Sequence, residues 1–212
     1  MVDGDTEVNL VERIVEETKN GKHIAIIGDA MTDHWVHGYE EECQDGCTKF
    51  IQKSYVVTSG GASNAATCLK HWNVNASLFS KSHMENPHKW RFVDKSGKIV
   101  YRLDDETKTS GSSYNWVHNL ILDMIQNFDA VLLSDYDKGF LTPEFTREVI
   151  KRCNRRSIPC VADVKRGPEL YQGAILKSNL DWTNKYGASN VTTRGAMWPW
   201  VHGKTDRYHG GR

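Results

Sequence analysis

Gly60-Gly61-Ala62-Ser63-Asn64 joins a segment of strand character (residues 50–58) to a helical repeat of Ala62, Ala65, Ala66, Leu69 and Trp72. Paired glycines there allow positive φ and close approach of a ligand. The helix start behind them offers free N–H groups to oxygen-rich molecules. An ordinary tight turn is the competing reading of the same residues. A second chemical stretch is Gly28-Asp29-Ala30-Met31-Thr32-Asp33, after a short apolar strand at 23–27. Carboxylates in that place accept hydrogen bonds from hydroxyls, which makes Asp29 and Asp33 candidates for holding a sugar. Capping of a turn or helix by one of them is the alternative. Further polar groups stand just past other apolar runs: Asp135, Lys138, Asp163, Lys165 and Asn179. A series of such groups at one sheet edge reads as a polar ligand cleft.

The elements that must carry these residues alternate. Residues 8–15 mark an opening helix, and buried strands are expected at 23–27, 76–80, 129–134, 158–164, 174–176 and 190–193. Trp116, Leu120, Met124 and Ile125 define one helix face. Thr142-Pro143 opens another helix that runs to about Arg156, with threonine as cap and proline in the first turn. This alternation predicts an α/β fold with a doubly wound parallel sheet. Residues 90–94 and 99–103 around a glycine turn read as a hairpin, polar enough to cover a cleft. With the strand at 50–58 it would form a small sheet acting as a lid, a dimer surface, or both.

Lysine plus arginine and aspartate plus glutamate number 27 each, so no net charge draws the chain to nucleic acid or an anionic membrane. The tail residues Lys204, Arg207 and Arg212 are too sparse for a basic stripe. No signal peptide is expected behind Asp3, Asp5 and Glu7, and no apolar stretch has membrane-spanning length. Five scattered cysteines, an odd number, suit reduced thiols in a cytoplasm. Cys43-x3-Cys47, with His34 and His37 nearby, fits no standard zinc knuckle, and no metal site is expected there.

These motifs resemble the ribokinase/PfkB family of carbohydrate kinases, and within it the bacterial heptose-7-phosphate kinases. The correspondence is ordered, covering about residues 22–197: Gly28 to Asp33 with Trp35 and Gly38; Gly60-Gly61-Ala62-Ser63-Asn64; Arg102-Leu103-Asp104-Asp105-Glu106; Leu133 to Gly139; Asp163 with Lys165; Asn179; and Thr193-Arg194-Gly195. The resemblance implies a Rossmann-like, ribokinase-type sheet with a β lid at 35–58 and 88–106, within one domain over 1–212. It implies transfer of the γ-phosphoryl group of ATP, with Mg2+, to a sugar or sugar phosphate of heptose 7-phosphate type. Asp33, Gly60, Gly61 and Asn64 would then hold the sugar. Arg91, Arg102 and Asp104 from the lid, with Asp135 and Lys138, would complete the substrate site. Lys165, Asn179, Thr193 and Gly195 would lie towards the nucleotide. A homodimer through the lid is implied as well.

Two departures stand out. The position three after Asn179, where the family usually carries glutamate, is Trp182, and only about a dozen residues separate the Asn179 and Thr193 strands, leaving little room for a helix. The Gly-Ala-Gly-Asp motif, which supplies the family's anion hole and base, does not occur, so no catalytic residue is assigned and the domain is expected to be truncated. A catalytically inactive sugar-binding or regulatory homologue is the alternative. A nucleotide-binding protein of other chemistry is disfavoured, since neither Gly-x-Gly-x-x-Gly nor a Gly-x4-Gly-Lys-Ser/Thr loop is present.

Overall fold

The computed structural model describes residues 21–81, 86–105, 114–187 and 189–194, and the backbone of 197–201. The expected opening helix at 8–15, Glu106 of the lid motif and Gly195 lie outside the described residues. The strands are β1 (His23–Gly28), β2 (Ala30–Glu42), β3 (Thr48–Gly61), β4 (Asn75–Phe79), β5 (His88–Val93), β6 (Ile99–Asp105), β7 (Ala130–Ser134), β8 (Cys160–Asp163), β9 (Ile175–Asn179), β10 (Val191–Arg194) and β11 (Met197–Val201). Four α-helices are interleaved: α1 (Ala62–His71), α2 (Asn115–Met124), α3 (Pro143–Arg155) and α4 (Leu180–Tyr186).

Two sheets result. The larger has the order β11-β10-β9-β8-β7-β1-β4, parallel except for the antiparallel edge strand β11. Its order reverses at β1, which has β4 on one side and β7 on the other, and such a switch point is where open α/β sheets leave a crevice. Ala25, Ile26 and Ile27 of β1 are fully buried, as expected of a central strand covered on both faces. Phe145, Val149, Ile150 and Cys153 of α3 join Val131, Leu133 and Ala162 of β7 and β8 in one core. Each large aliphatic side chain buried there contributes about 1.5–3 kcal/mol. Thr142 Oγ1 accepts from the Phe145 amide at 3.2 Å and caps α3, as the sequence predicted.

The smaller sheet, β3-β2-β5-β6, is built from the segments expected to form a lid, and it reaches deeper than 35–58. The chain enters β2 at Ala30, a single residue after β1 ends, and β3 continues to Gly61. Asp33 therefore lies on a lid strand and not in a loop. The root is tied together by Asp29, whose carbonyl accepts the first amide of α1, Ala62 N–H, at 3.0 Å.

Three local expectations are corrected. The apolar repeat of α1 does not form a buried face: only Ala62 is fully buried, and Trp72 is the C-cap residue, 77% exposed. In α2 the buried positions are His118, Ile121 and Met124, while Trp116 points outward. Between Asn179 and Thr193 there is room for the two-turn helix α4, because Asn179 caps it directly at the end of β9 and Gly187 closes it in the left-handed conformation.

Candidate functional site

Parallel register lines up the C-terminal strand ends of the larger sheet. Gly28 sits beside Ser134, Ser134 beside Asp163, Asp163 beside Lys177, and Asn179 beside Thr193. The polar residues that follow these positions therefore share one edge, and the lid rises from the same edge at β1.

At the root of the lid Asp33, Gly60, Gly61 and Arg91 come together. Arg91 Nη1 donates to Asp33 Oδ1 at 2.8 Å, and the guanidinium lies over the Trp35 ring, 4.7 Å from its centroid. Trp35 is held in turn by its indole N–H on Thr58 Oγ1 at 3.2 Å. Gly60 is packed against the Asp33 carboxylate: a Cβ on it would lie 2.9 Å from Oδ2. Gly61 has φ +57°, and a Cβ there would stand 2.2 Å from the Asp29 carbonyl oxygen, so only glycine suits the passage from β3 into α1. Asn64 is exposed in the first turn of α1. The double-glycine stretch thus joins the Asp33 carboxylate to the start of α1, whose first turn carries Asn64.

Asp29 has a different part. It is buried, and its carboxylate accepts amides of Tyr136 at 3.0 Å, Lys138 at 3.1 Å and Phe140 at 3.1 Å. Burial pushes its carboxyl above the ordinary aspartate value, Asp135 adds to the rise, and the three amides oppose it. Asp29 fixes the loop after β7; Asp33 pairs with Arg91 and lies near Tyr136 of that loop.

That loop carries Asp135 and Lys138. The Asp135 carboxylate, expected to touch substrate, is fully buried and already matched. Oδ2 receives Arg166 Nη2 at 2.5 Å, Arg166 Nε at 2.9 Å and the Tyr171 hydroxyl at 2.5 Å, and Oδ1 receives the Asp137 amide at 2.8 Å. Lys138 is half-buried, and its carbonyl accepts from Lys81 Nζ. Tyr136, not singled out from the sequence, is half-buried; burial and the nearby carboxylates of Asp163 and Asp33 push its phenol above the ordinary value. Only its central place in Leu-Ser-Asp-Tyr-x-Lys-Gly hinted at a role.

Farther along the edge, Lys177 Nζ donates to Asp163 Oδ2 at 2.7 Å, and Lys165 is exposed. Asn179 Oδ1 caps α4 by accepting the Trp182 amide at 2.8 Å, and Thr193 Oγ1 donates to the Ser178 carbonyl at 3.1 Å. Trp182 is a buried core residue whose indole N–H holds the Arg166 carbonyl at 2.8 Å. It ties the Lys165–Arg166 turn to α4. Two lysines, an amide and a hydroxyl suit phosphate oxygens. The carboxylates near them are Asp163, engaged by Lys177, and the exposed Asp181. A magnesium ion held there would draw most of its oxygen ligands from phosphate and water, a common mode for that ion.

On the lid, Arg102 forms a two-point pair with Asp104, Nε to Oδ1 and Nη2 to Oδ2, both at 2.7 Å. This pair holds the Asp104 carboxyl below the ordinary value, with Lys89 and Arg91 contributing. Arg91 and Arg102 are directly opposite in the β5–β6 register and belong to one face with Asp33. The other face carries a stack of rings. His34 lies 4.0 Å from the Trp90 ring, its Nε2 meets His88 Nδ1 at 2.7 Å, and its Nδ1 meets the Tyr55 hydroxyl. Val57, Tyr101 and Leu103 are exposed around that stack.

No family model matches the chain. In sequence it is 30% identical over 183 residues to "Bifunctional protein HldE" of Nitratiruptor, a match covering 72% of this chain and 38% of that protein. It is 32% identical over 185 residues to the protein of the same name from Campylobacter jejuni, with the same two coverages. The match thus spans less than half the length of these curated relatives. In fold it is similar to Arabidopsis thaliana ribokinase complexed with ribose and ATP, with TM-score 0.53 and 14% identity over 78% of this chain and 62% of that one. Phosphofructokinase-2 from Escherichia coli gives TM-score 0.52 at 10% identity, covering 79% and 66%. At these identities the structural likeness is one of fold.

Proposed function

We propose, from the premise that the chain is a sequence relative of the HldE proteins with a ribokinase-like fold, that it serves an ATP-dependent carbohydrate kinase acting on a sugar phosphate of heptose 7-phosphate type. The observation that carries this reading is the lid root, where Asp33 stands against Gly60 with Arg91 beside it, facing the aligned strand ends. Asp33 and Asn64 supply acceptors and donors for sugar hydroxyls. Arg91 and Arg102, both already paired with carboxylates, suit a substrate phosphate that would replace those partners. Lys138 would serve the substrate side, and Lys165, Asn179 and Thr193 would lie towards a triphosphate. ATP supplies the transferred phosphoryl group, and Mg2+ neutralises its charge; the chain's own residues bind, orient and cover the acceptor sugar.

The second lid face supports a homodimer. Val57, His34, Trp90 and Leu103 form one cross-strand row, and Tyr55, Val36, Phe92 and Tyr101 the next. Exposed apolar residues at the ends of both rows suit packing against a second lid. Leu103→Lys should shift a dimer to monomer in light scattering. No helix among the described residues is long and apolar enough to cross a membrane. The cysteines are unpaired, which suits a reducing cytoplasm.

Calorimetric titration with heptose 7-phosphate, fructose 6-phosphate and ribose, each with and without magnesium ATP, tests the reading alongside a coupled assay for ADP. Binding of a sugar phosphate in preference to ribose supports it. Absence of binding by all three sugars overturns it.

A further inference from the structure

The tight turn at the far end of the β2–β3 hairpin places three metal-binding side chains together. Cys43 N–H donates to the Cys47 carbonyl at 2.8 Å, and Gly46 N–H donates back to the Cys43 carbonyl at 3.1 Å. The turn needs the positive φ of Gly46, +80°. Within it the Cys47 amide donates to Asp45 Oδ1 at 3.3 Å, which draws that carboxylate back over the turn. The Cys43 and Cys47 thiols and the Asp45 carboxylate present ligand atoms that all lie within 4.8 Å of one another. Tetrahedral zinc with thiolate bonds of about 2.3 Å sets its sulfurs about 3.8 Å apart, close to the spacing already present.

We propose that this turn, Cys43-Gln44-Asp45-Gly46-Cys47, binds one soft divalent cation of the zinc class through the two thiolates and the Asp45 carboxylate. The Cys-x3-Cys spacing by itself argued against a zinc knuckle. The third ligand comes from inside the turn and not from a second knuckle, and the fourth position is left to water. Electrostatics favour a cation. Glu40, Glu41 and Glu42 precede the turn, and of these Glu41 is paired with Lys49 at 3.4 Å while Glu40 accepts from the Tyr101 hydroxyl. As each metal–sulfur bond forms, its thiol proton leaves to solvent. Bound there, it would clamp the last cross-strand pair of the lid hairpin.

The test uses the full chain, stripped of metal with a chelator and kept reduced with a phosphine. Cadmium titration should raise a thiolate-to-metal absorption band that saturates at a single equivalent, and zinc should displace the cadmium. The band should survive in Cys68→Ser, which removes an exposed cysteine elsewhere, and vanish in Cys43→Ser/Cys47→Ser. Asp45→Asn should weaken zinc affinity on the order of tenfold, the low end of the loss when even an outer-sphere partner is removed. All four sites are solvent-accessible, so circular dichroism should be unchanged. A reduced chain that gives no band, or a band that persists in the double serine variant, overturns the proposal.

Discussion

Asp33 and Arg91 face different partners across the lid register, Asp33 opposite Lys89 and Arg91 opposite Trp35, yet their side chains meet diagonally at 2.8 Å. Both are about four-fifths buried. On the proposed function, a sugar phosphate would meet a carboxylate and a guanidinium that are already engaged, and it would have to offer each a better partner.

Asp33→Ala should therefore weaken sugar binding and leave the fold intact. Loss of charged hydrogen bonds of about 1.5–3 kcal/mol corresponds to a fall of about 10- to 100-fold in affinity. Calorimetry on the folded variant decides; an unchanged affinity would remove Asp33 from the site.

The two arginines should separate phosphorylated from plain sugars. Arg91→Ala is expected to weaken a sugar phosphate by about tenfold or more while sparing ribose. Arg102→Ala should do less, since that side chain is half exposed and its pair with Asp104 is screened by solvent. Equal losses for ribose and for the phosphate ester would show that neither arginine reads the phosphate.

Adjacent glycines should fail in different ways. At Gly61 an alanine meets the Asp29 carbonyl oxygen at 2.2 Å and is held at positive φ, a strain of about 1–3 kcal/mol before the clash is counted. Gly61→Ala is expected to lower the melting temperature by several degrees. Gly60→Ala meets only the end of the Asp33 side chain, so it should keep stability and lose sugar affinity. Thermal scans and titrations on both variants test this, and the opposite ranking would contradict the packing described.

Asp135 should prove structural. Arg166→Ala leaves its buried carboxylate with the Tyr171 hydroxyl and one amide, and breaking a buried pair costs about 3–5 kcal/mol. Urea unfolding should register this loss. A change below about 1 kcal/mol would mean that the pair is looser than its geometry.

Acid should weaken the fold through His118. Its ring stacks on Phe145 at 3.8 Å, its Nε2–H donates to the Phe140 carbonyl at 2.9 Å, and burial holds the imidazole below its ordinary value of 6.5. The unfolded chain takes up the proton first as the pH drops. Stability is thus complete above about pH 6.5 and is lost progressively as the pH falls from there through the native value. His118→Gln, whose amide can still donate to Phe140, should flatten the dependence of the melting temperature between about pH 7.5 and about pH 5.5. An unaltered slope would assign the effect elsewhere, His34 being the other histidine held low by burial among the described residues.

Local patterns in the sequence were enough to determine the alternation of strands and helices, the cap at Thr142, the lid hairpin and the glycine passage into α1, because each depends on neighbours a few residues away. Strand ends also announced which polar residues share an edge. What each of those residues does was decided by the tertiary structure. Asp29 and Asp33 are the same residue type four positions apart, and only their tertiary partners make one a bracket for the loop after β7 and pair the other with Arg91. Asp135 is neutralised by Arg166, 31 residues on, and Asp33 meets Arg91, 58 residues on. Trp182 reads as a missing carboxylate in the sequence and proves to be a core residue carrying the Arg166 carbonyl. The physical reason is the same in each case. The fate of a charge is set by desolvation and by the partner that opposes it, and both are supplied by chain that only folding brings near.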